Sequence, residues 1–277
     1  MRNRIGRNRT GLFALLTGAS CALSGAAAAQ DQRLAVPLSD PSRPARLEIA
    51  LFSGDITVEA YDGNEIVIVA DAPIRGGDES EPPREDGLRR IQSSSVGLTV
   101  EENDNTVSVR MDFSPKNADI EIRVPRRTSV KASLVNGGDV EITGLTGEHE
   151  LSNVNGDVIA TDLAGSAVIN ATNGDVRATF TTVDASRSMS FISFNGDVDV
   201  TLPANLAADL IVASQQGDVY TDFDVQAQDD PPTVQQRGGP SGGRQLRWSQ
   251  QTRYAIGGGG PDIQLRTFNG DVMIRKR

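Results

Sequence analysis

Side chains able to do chemistry are scarce in this 277-residue chain. It holds one histidine and one cysteine, and Lys116, Lys131 and Lys276 are its only lysines, against 37 acidic residues. His149 stands between Glu148 and Glu150. General acid–base work or a zinc site needs convergent partners. No second histidine exists, and Cys21 lies in the N-terminal segment, so His149 is expected to pack rather than react. Aspartate is the residue that recurs. Seven Gly-Asp pairs are each followed by Val or Ile, at Asp55, Asp139, Asp157, Asp175, Asp197, Asp218 and Asp271. Calcium-binding repeats also carry Gly and Asp, but with a nine-residue period and several glycines per turn. A polysaccharide lyase or hydrolase would need carboxylates gathered with a nucleophile, base or orienter. No such constellation can be named. No catalytic residue, no cofactor and no metal site is therefore expected. The Ser186-Arg187-Ser188 run reads as solvated surface. Trp248 and Tyr254 are able to stack on a sugar, but packing on a strand is the expectation for both.

What must hold the aspartates is a repeat. Asp139, Asp157, Asp175 and Asp197 are separated by 18, 18 and 22 residues. Six positions before the aspartates stand Ile49, Leu151, Ile169, Phe191, Val212 and Leu265; three after stand Val58, Ile142, Ala160, Ala178, Val200 and Ile274. Apolar residues two apart are a strand period with one buried face. The glycine suits a turn with positive φ, and the adjacent Asn or Asp tolerates such turns. Two architectures fit. Asn-Gly between alternating apolar residues is a hairpin signal and would give an antiparallel β-meander. Near-identical columns at a constant step favour an all-β solenoid, a single-stranded β-helix with coils of 18–22 residues stacked at the ~4.8 Å strand spacing. In such a stack the aspartates are expected to be exposed and turn-capping, with no tightly held metal. Gly156 and Gly174 are expected at φ > 0.

The first 29 residues do not belong to this fold. Arg2, Arg4, Arg7 and Arg9 precede an apolar run that ends in Ala26-Ala27-Ala28-Ala29, the pattern of a secretory signal cleaved after Ala29. Gly18-Ala19-Ser20 before Cys21 lacks the Leu-like residue of a lipoprotein site. Removing those 29 residues leaves 23 basic residues against 37 acidic and no cysteine. Disulfides and nucleic-acid binding are then disfavoured, and no transmembrane span is expected in the mature chain. Residues 30–45 read as a flexible leader and 46–277 as the solenoid domain. Charged or Gly/Pro-rich stretches at 73–95 and 224–247 read as loops.

Ile120-Glu-Ile-Arg-Val-Pro-Arg-Arg-Thr-Ser-Val-Lys-Ala, the Gly-Asp-Val repeats, and Ile263-Gln-Leu-Arg-Thr-Phe-Asn-Gly-Asp-Val-Met-Ile occur in that order. Together they resemble the bacterial DUF4097 family, labelled putative adhesins with β-strand repeats, over most of residues 46–277. The resemblance implies a right-handed β-solenoid, exported or envelope-associated, and brings no catalytic motif. The expected function is a non-catalytic adhesin or envelope binding module, periplasmic, cell-envelope or secreted. Its partner would be an envelope protein or glycan. A polysaccharide-active enzyme on the same scaffold is the alternative.

Overall fold

The computed structural model describes residues 32–71, 98–111, 119–228, 233–238, 244–249 and 252–277. The expected signal segment and the 73–95 loop lie outside them. Among these residues every regular element is a strand. The first group is β1 (Gln32–Pro37), β2 (Ala45–Ser53), β3 (Ile56–Tyr61), β4 (Glu65–Asp71), β5 (Leu98–Asn103), β6 (Thr106–Met111) and β7 (Asp119–Pro125). The repeat block supplies β8 (Thr128–Asn136), β9 (Val140–Thr143), β10 (Thr146–Asn155), β11 (Val158–Asn173), β12 (Val176–Val183), β13 (Met189–Asn195), β14 (Val198–Leu202), β15 (Ala208–Ser214) and β16 (Val219–Thr221). The last are β17 (Gln226–Gln228), β18 (Thr233–Gly238), β19 (Arg244–Ser249), β20 (Thr252–Ile256), β21 (Asp262–Thr267) and β22 (Val272–Lys276).

Each Gly-Asp turn joins a strand of one wall to a strand of a second wall. In the first wall the order is β5, β6, β2, β8, β10, the C-terminal half of β11, β13, β21, β15, β20, β17. In the second it is β1, β4, β7, β3, β9, the N-terminal half of β11, β12, β14, β22, β16. Pairing is parallel and in register through the repeats: Val140 faces Val158, which faces Val176, which faces Val198. Parallel neighbours exclude the meander for this block and give an all-β, solenoid-like stack. Antiparallel pairing is confined to the ends.

The walls enclose one core. Ile49, Leu151, Ile169, Phe191 and Leu265 from the first wall meet Val58, Ile142, Ala178, Val200 and Ile274 from the second, all buried. Phe180 and Phe191 pack edge to face with ring centroids 5.9 Å apart. The apolar columns of the sequence are thus the stacked interior, and the polar residues between them face outward.

Three features differ from the linear reading. Coils do not stack in chain order: the last one, β21 with β22, lies between β13/β14 and β15/β16. Near the other end β2/β3 lies between β6/β7 and β8/β9. Residues 32–37 of the expected leader are a strand, because Leu34 to Pro37 pair with β4 and Val36 is buried against the core. Finally, 224–247 is not loop throughout. β17 pairs antiparallel with β20, and β18 antiparallel with β19 in a separate two-stranded sheet.

Candidate functional site

At the corner between the walls, the residue types of the repeat acquire their reasons. The Oδ1 of each aspartate accepts the backbone N–H of the aspartate in the neighbouring coil. The run goes from Asp119 through Asp55, Asp139, Asp157, Asp175, Asp197 and Asp271 to Asp218, with N···O distances of 2.7–3.0 Å. That N–H donor comes from the next coil rather than from the aspartate's own turn. Asp139, Asp157, Asp175 and Asp197 are consequently half-buried, not exposed as their spacing suggested. Repulsion along the column is offset by Arg177, whose guanidinium bonds Asp157 Oδ2 at 2.8 Å and also Asp175 Oδ2. The bond to Asp157 and the nearby aspartate charges raise the Arg177 pKa above its ordinary value.

The glycines are required by stacking. A Cβ on Gly156 would collide with the carbonyl of Gly138, and one on Gly174 with that of Gly156. Gly156 has φ of 142°, whereas Gly174 is not among the glycines with positive φ. At Gly174 close approach, not handedness, excludes a side chain. The glycine carbonyls are in turn bonded from inside: Ser193 Oγ donates to Gly174, Thr267 Oγ1 to Gly196 and Ser214 Oγ to Gly270, each at 2.8 Å. Asn153 Nδ2 does the same for Gly138 at 2.9 Å.

Outside the same corner runs a row of asparagines. Asn173 Nδ2 donates to Asn155 Oδ1, Asn195 to Asn173 and Asn269 to Asn195, at 2.6–2.9 Å. Beside it lies a second row that sequence reading missed: Phe52, Val135, Val154, Thr172, Phe194 and Phe268, one residue per coil, on the outward face. Phe194 is 50% exposed and Phe52 42%. The Phe194 and Phe268 rings stack at 4.9 Å with 11° between their planes. Interior packing does not call for apolar side chains here, since alternation points this position to solvent. The signal was present three positions before Asp55, Asp157, Asp197 and Asp271 and four before Asp139, but only the inward columns were aligned.

The remaining candidates resolve differently. His149 is buried in an inward column with Val130 and Ala167 as its neighbours, and neither ring nitrogen has a partner. Desolvation lowers its pKa to about 4, so it is neutral near pH 7. Above it a shallow depression of about 330 Å³ is bordered by Lys131, Glu148, Glu150 and Arg187. Its charges are paired: Lys131 Nζ with Glu150 at 2.8 Å, and Arg187 with Glu148 at 2.6 Å. Arg187 and its serines are exposed, as expected. Tyr254 packs against the core, as expected; Trp248 and Lys116 have no described side-chain environment. Lys276 lies over the Phe223 ring. Among the described residues, no group of three or more His, Cys, Asp or Glu is placed to hold a metal ion. No helix there is long and apolar enough to cross a membrane.

A model of the family described as Toastrack DUF4097 matches residues 30–241. None of the curated proteins matches the chain. Among solved structures, a putative cell adhesion protein from Clostridium sporogenes is similar, with 10% identity and a TM-score of 0.37, over 90% of this chain and 100% of that one. A putative adhesin from Bacteroides fragilis is similar with 13% identity and a TM-score of 0.34, over 90% and 98%.

Proposed function

Because the chain belongs to the Toastrack DUF4097 family, we propose that it is an exported, non-catalytic, right-handed β-solenoid that works as an adhesive or binding module in the cell envelope. The carrying observation is the outward row of Phe52, Val135, Val154, Phe194 and Phe268 beside the asparagine ladder. Aromatic rings next to amide groups suit a glycan: sugar C–H faces lie on the rings, and hydroxyls exchange hydrogen bonds with the amides. Stacked coils fix the backbone of the row, so little conformational freedom is lost on binding.

The test is a glycan-array and envelope-polysaccharide pull-down with the whole protein, beside Phe194→Ser and Val154→Ser. These outward changes leave the core untouched, so the melting temperature should move little while retention falls at least tenfold. Retention unchanged in both variants overturns the assignment of the row. Capture of an envelope protein instead of a glycan would change the ligand class. Release of soluble product would mark the polysaccharide-active enzyme instead.

A further inference from the structure

The four ends of the two walls are finished differently. At one end the first wall closes on antiparallel β5, and the second on antiparallel β4 followed by β1. At the other end the first wall closes on antiparallel β20 and then β17. The second wall stops, among the described residues, at β16, a parallel three-residue strand paired only with β22.

What β16 lacks is defined by seven precedents. At each interior step one aspartate of the incoming coil makes two backbone bonds. Its N–H donates to the previous aspartate's Oδ1, and its C=O accepts the N–H of the Val or Ile after that aspartate. For Asp157 these are 2.7 Å to Asp139 and 3.0 Å from Val140; for Asp218 they are 2.8 Å to Asp271 and 2.9 Å from Val272. At the open edge, among the described residues, Asp218 Oδ1 has no such donor, and its Oδ2 is met only by the Tyr220 hydroxyl at 3.3 Å. Bonds from Val272 N–H to Asp218 and from Asp222 N–H to Ile274 show that the even-numbered residues face β22. By the parity of a parallel ladder, the N–H and C=O of Val219 and Thr221 point to the vacant side.

We propose that this edge is a strand-accepting site for an extended, cationic segment of a partner protein, added parallel to β16. One residue of that segment fills both vacancies, its N–H on Asp218 Oδ1 and its C=O on the Val219 N–H. Strand addition of this kind takes affinity from main-chain bonds and specificity from alternate side chains. Val219 is 41% exposed, Tyr220 53% and Val225 37%, which supplies apolar contact for the alternate residues. Charge selects the partner. Asp218, Asp222 and Asp224 border the edge and are exposed; Lys276 reaches Asp224 at 3.7 Å, which sets one ammonium against the three carboxylates. Asp218 and then Asp271 raise the Tyr220 phenol pKa. A second copy of this chain, with a formal charge of −10, is repelled by the same carboxylates. Brevity and acidic side chains also guard the edge against self-pairing. The site does not use the phenylalanine row, so either assignment can fail alone.

The probe is a fluorescent seven-residue peptide of alternating Val and Lys, with two controls: the same peptide with Pro for the central Val, and one with Glu for Lys. Anisotropy is read on the whole protein together with amide exchange of residues 219–221. The expected result is micromolar binding by the Lys peptide, at least tenfold weaker binding by both controls, and slowed exchange at Val219 and Thr221. Asp218→Asn, which keeps an acceptor, should bind better than Asp218→Val, and Val219→Pro, which removes the vacant-side N–H without taking a bond from β22, should abolish binding. A melting curve confirms that each variant is folded, since β16 is the outermost strand of its wall. Equal binding of the Lys and Pro peptides, unchanged binding by Val219→Pro, or no binding at millimolar peptide overturns the proposal. So does dimerisation of the free protein through this edge, read by light scattering with and without Val219→Pro.

Discussion

Replacing His149 by Leu should stabilise the protein, and by an amount that grows as the solution is acidified. The ring sits in a column whose neighbours are Val130 and Ala167, with both nitrogens unpartnered. In the folded state its pKa is lowered from 6.5 to about 4 by burial. The unfolded chain therefore binds a proton below pH 6.5 that the folded chain refuses until about pH 4. Stability is unaffected by this group above pH 7, declines as the pH falls through that window, and levels off below it. The full shift corresponds to about 3 kcal/mol at 1.36 kcal/mol per unit, and about 2 kcal/mol is already lost at pH 5. Leu also removes two buried, unsatisfied polar atoms, worth a further ~1–3 kcal/mol at every pH. Urea titrations of both proteins at pH 8, 6.5, 5.5 and 4.5 separate the two effects. The difference between wild type and His149→Leu should be constant above pH 7 and widen by about 2–3 kcal/mol towards pH 4.5. A difference that stays flat across the window would show that the imidazole is hydrated or paired in solution, and the buried-neutral assignment would fall.

Three further outcomes follow from the corner. Gly174→Ala should cost about 3 kcal/mol, because backbone carbonyl and not a yielding side chain occupies the space; Gly137→Ala, with open space but φ of 62°, should cost only about 1–2 kcal/mol in chemical melts. Asp157→Ala leaves the Asp175 N–H without its acceptor and should cost about 1–3 kcal/mol, whereas Asp157→Asn keeps an acceptor and should cost less than half as much. Millimolar calcium should move the wild-type melting temperature by no more than a degree or two on the scale of ~2–4 °C per kcal/mol; a calcium-dependent rise of many degrees, abolished in Asp157→Asn, would refute the hydrogen-bond role of the column. Ending the chain after Gly260 removes β21 and β22 and separates the coils on either side, so cooperative unfolding should be lost rather than shifted, as read by circular dichroism.

Much of a single coil could be read from the residues. Val158, Val176 and Val198 are buried one position after the aspartate because alternation and a tight turn leave them no other side. Neighbour order could not be read from the period, since every Gly-Asp-Val unit presents nearly the same backbone bonds. A finer clue lay in the residue before the glycine: Asn155, Asn173, Asn195 and Asn269 form one continuous amide row, while Gln216 lies beyond it. Placing the terminal coil beside Asn195 is what keeps that row unbroken. The N-terminal strand was hidden because Leu34-Ala-Val-Pro is too short to show a period by itself, and only pairing with β4 fixes it. Among candidate-site residues, His149 stands in a buried inward column, where packing was expected. The phenylalanine row escaped because apolar residues were sought on the inside.

The inserted coil of β21 and β22 is also expected to set the time course of folding. Coil β15/β16 is made long before β21/β22, and its residues meet the same rungs: Val219 and Val198 both pair with Val272. An emerging chain can therefore dock β15/β16 directly on β13/β14 and satisfy almost every backbone bond in the wrong order. Correction then requires a whole coil to peel away, so a misstacked state is expected to act as a kinetic trap. Contacts between β13 and β21 also span a long loop, which slows folding in the manner of high contact order. Two-phase refolding is the expected signature, with the slow phase abolished when β15/β16 carries changes that prevent early docking. A wall completed only by the coil of residues 262–276 stays open, and so stays threadable, until that coil has been made.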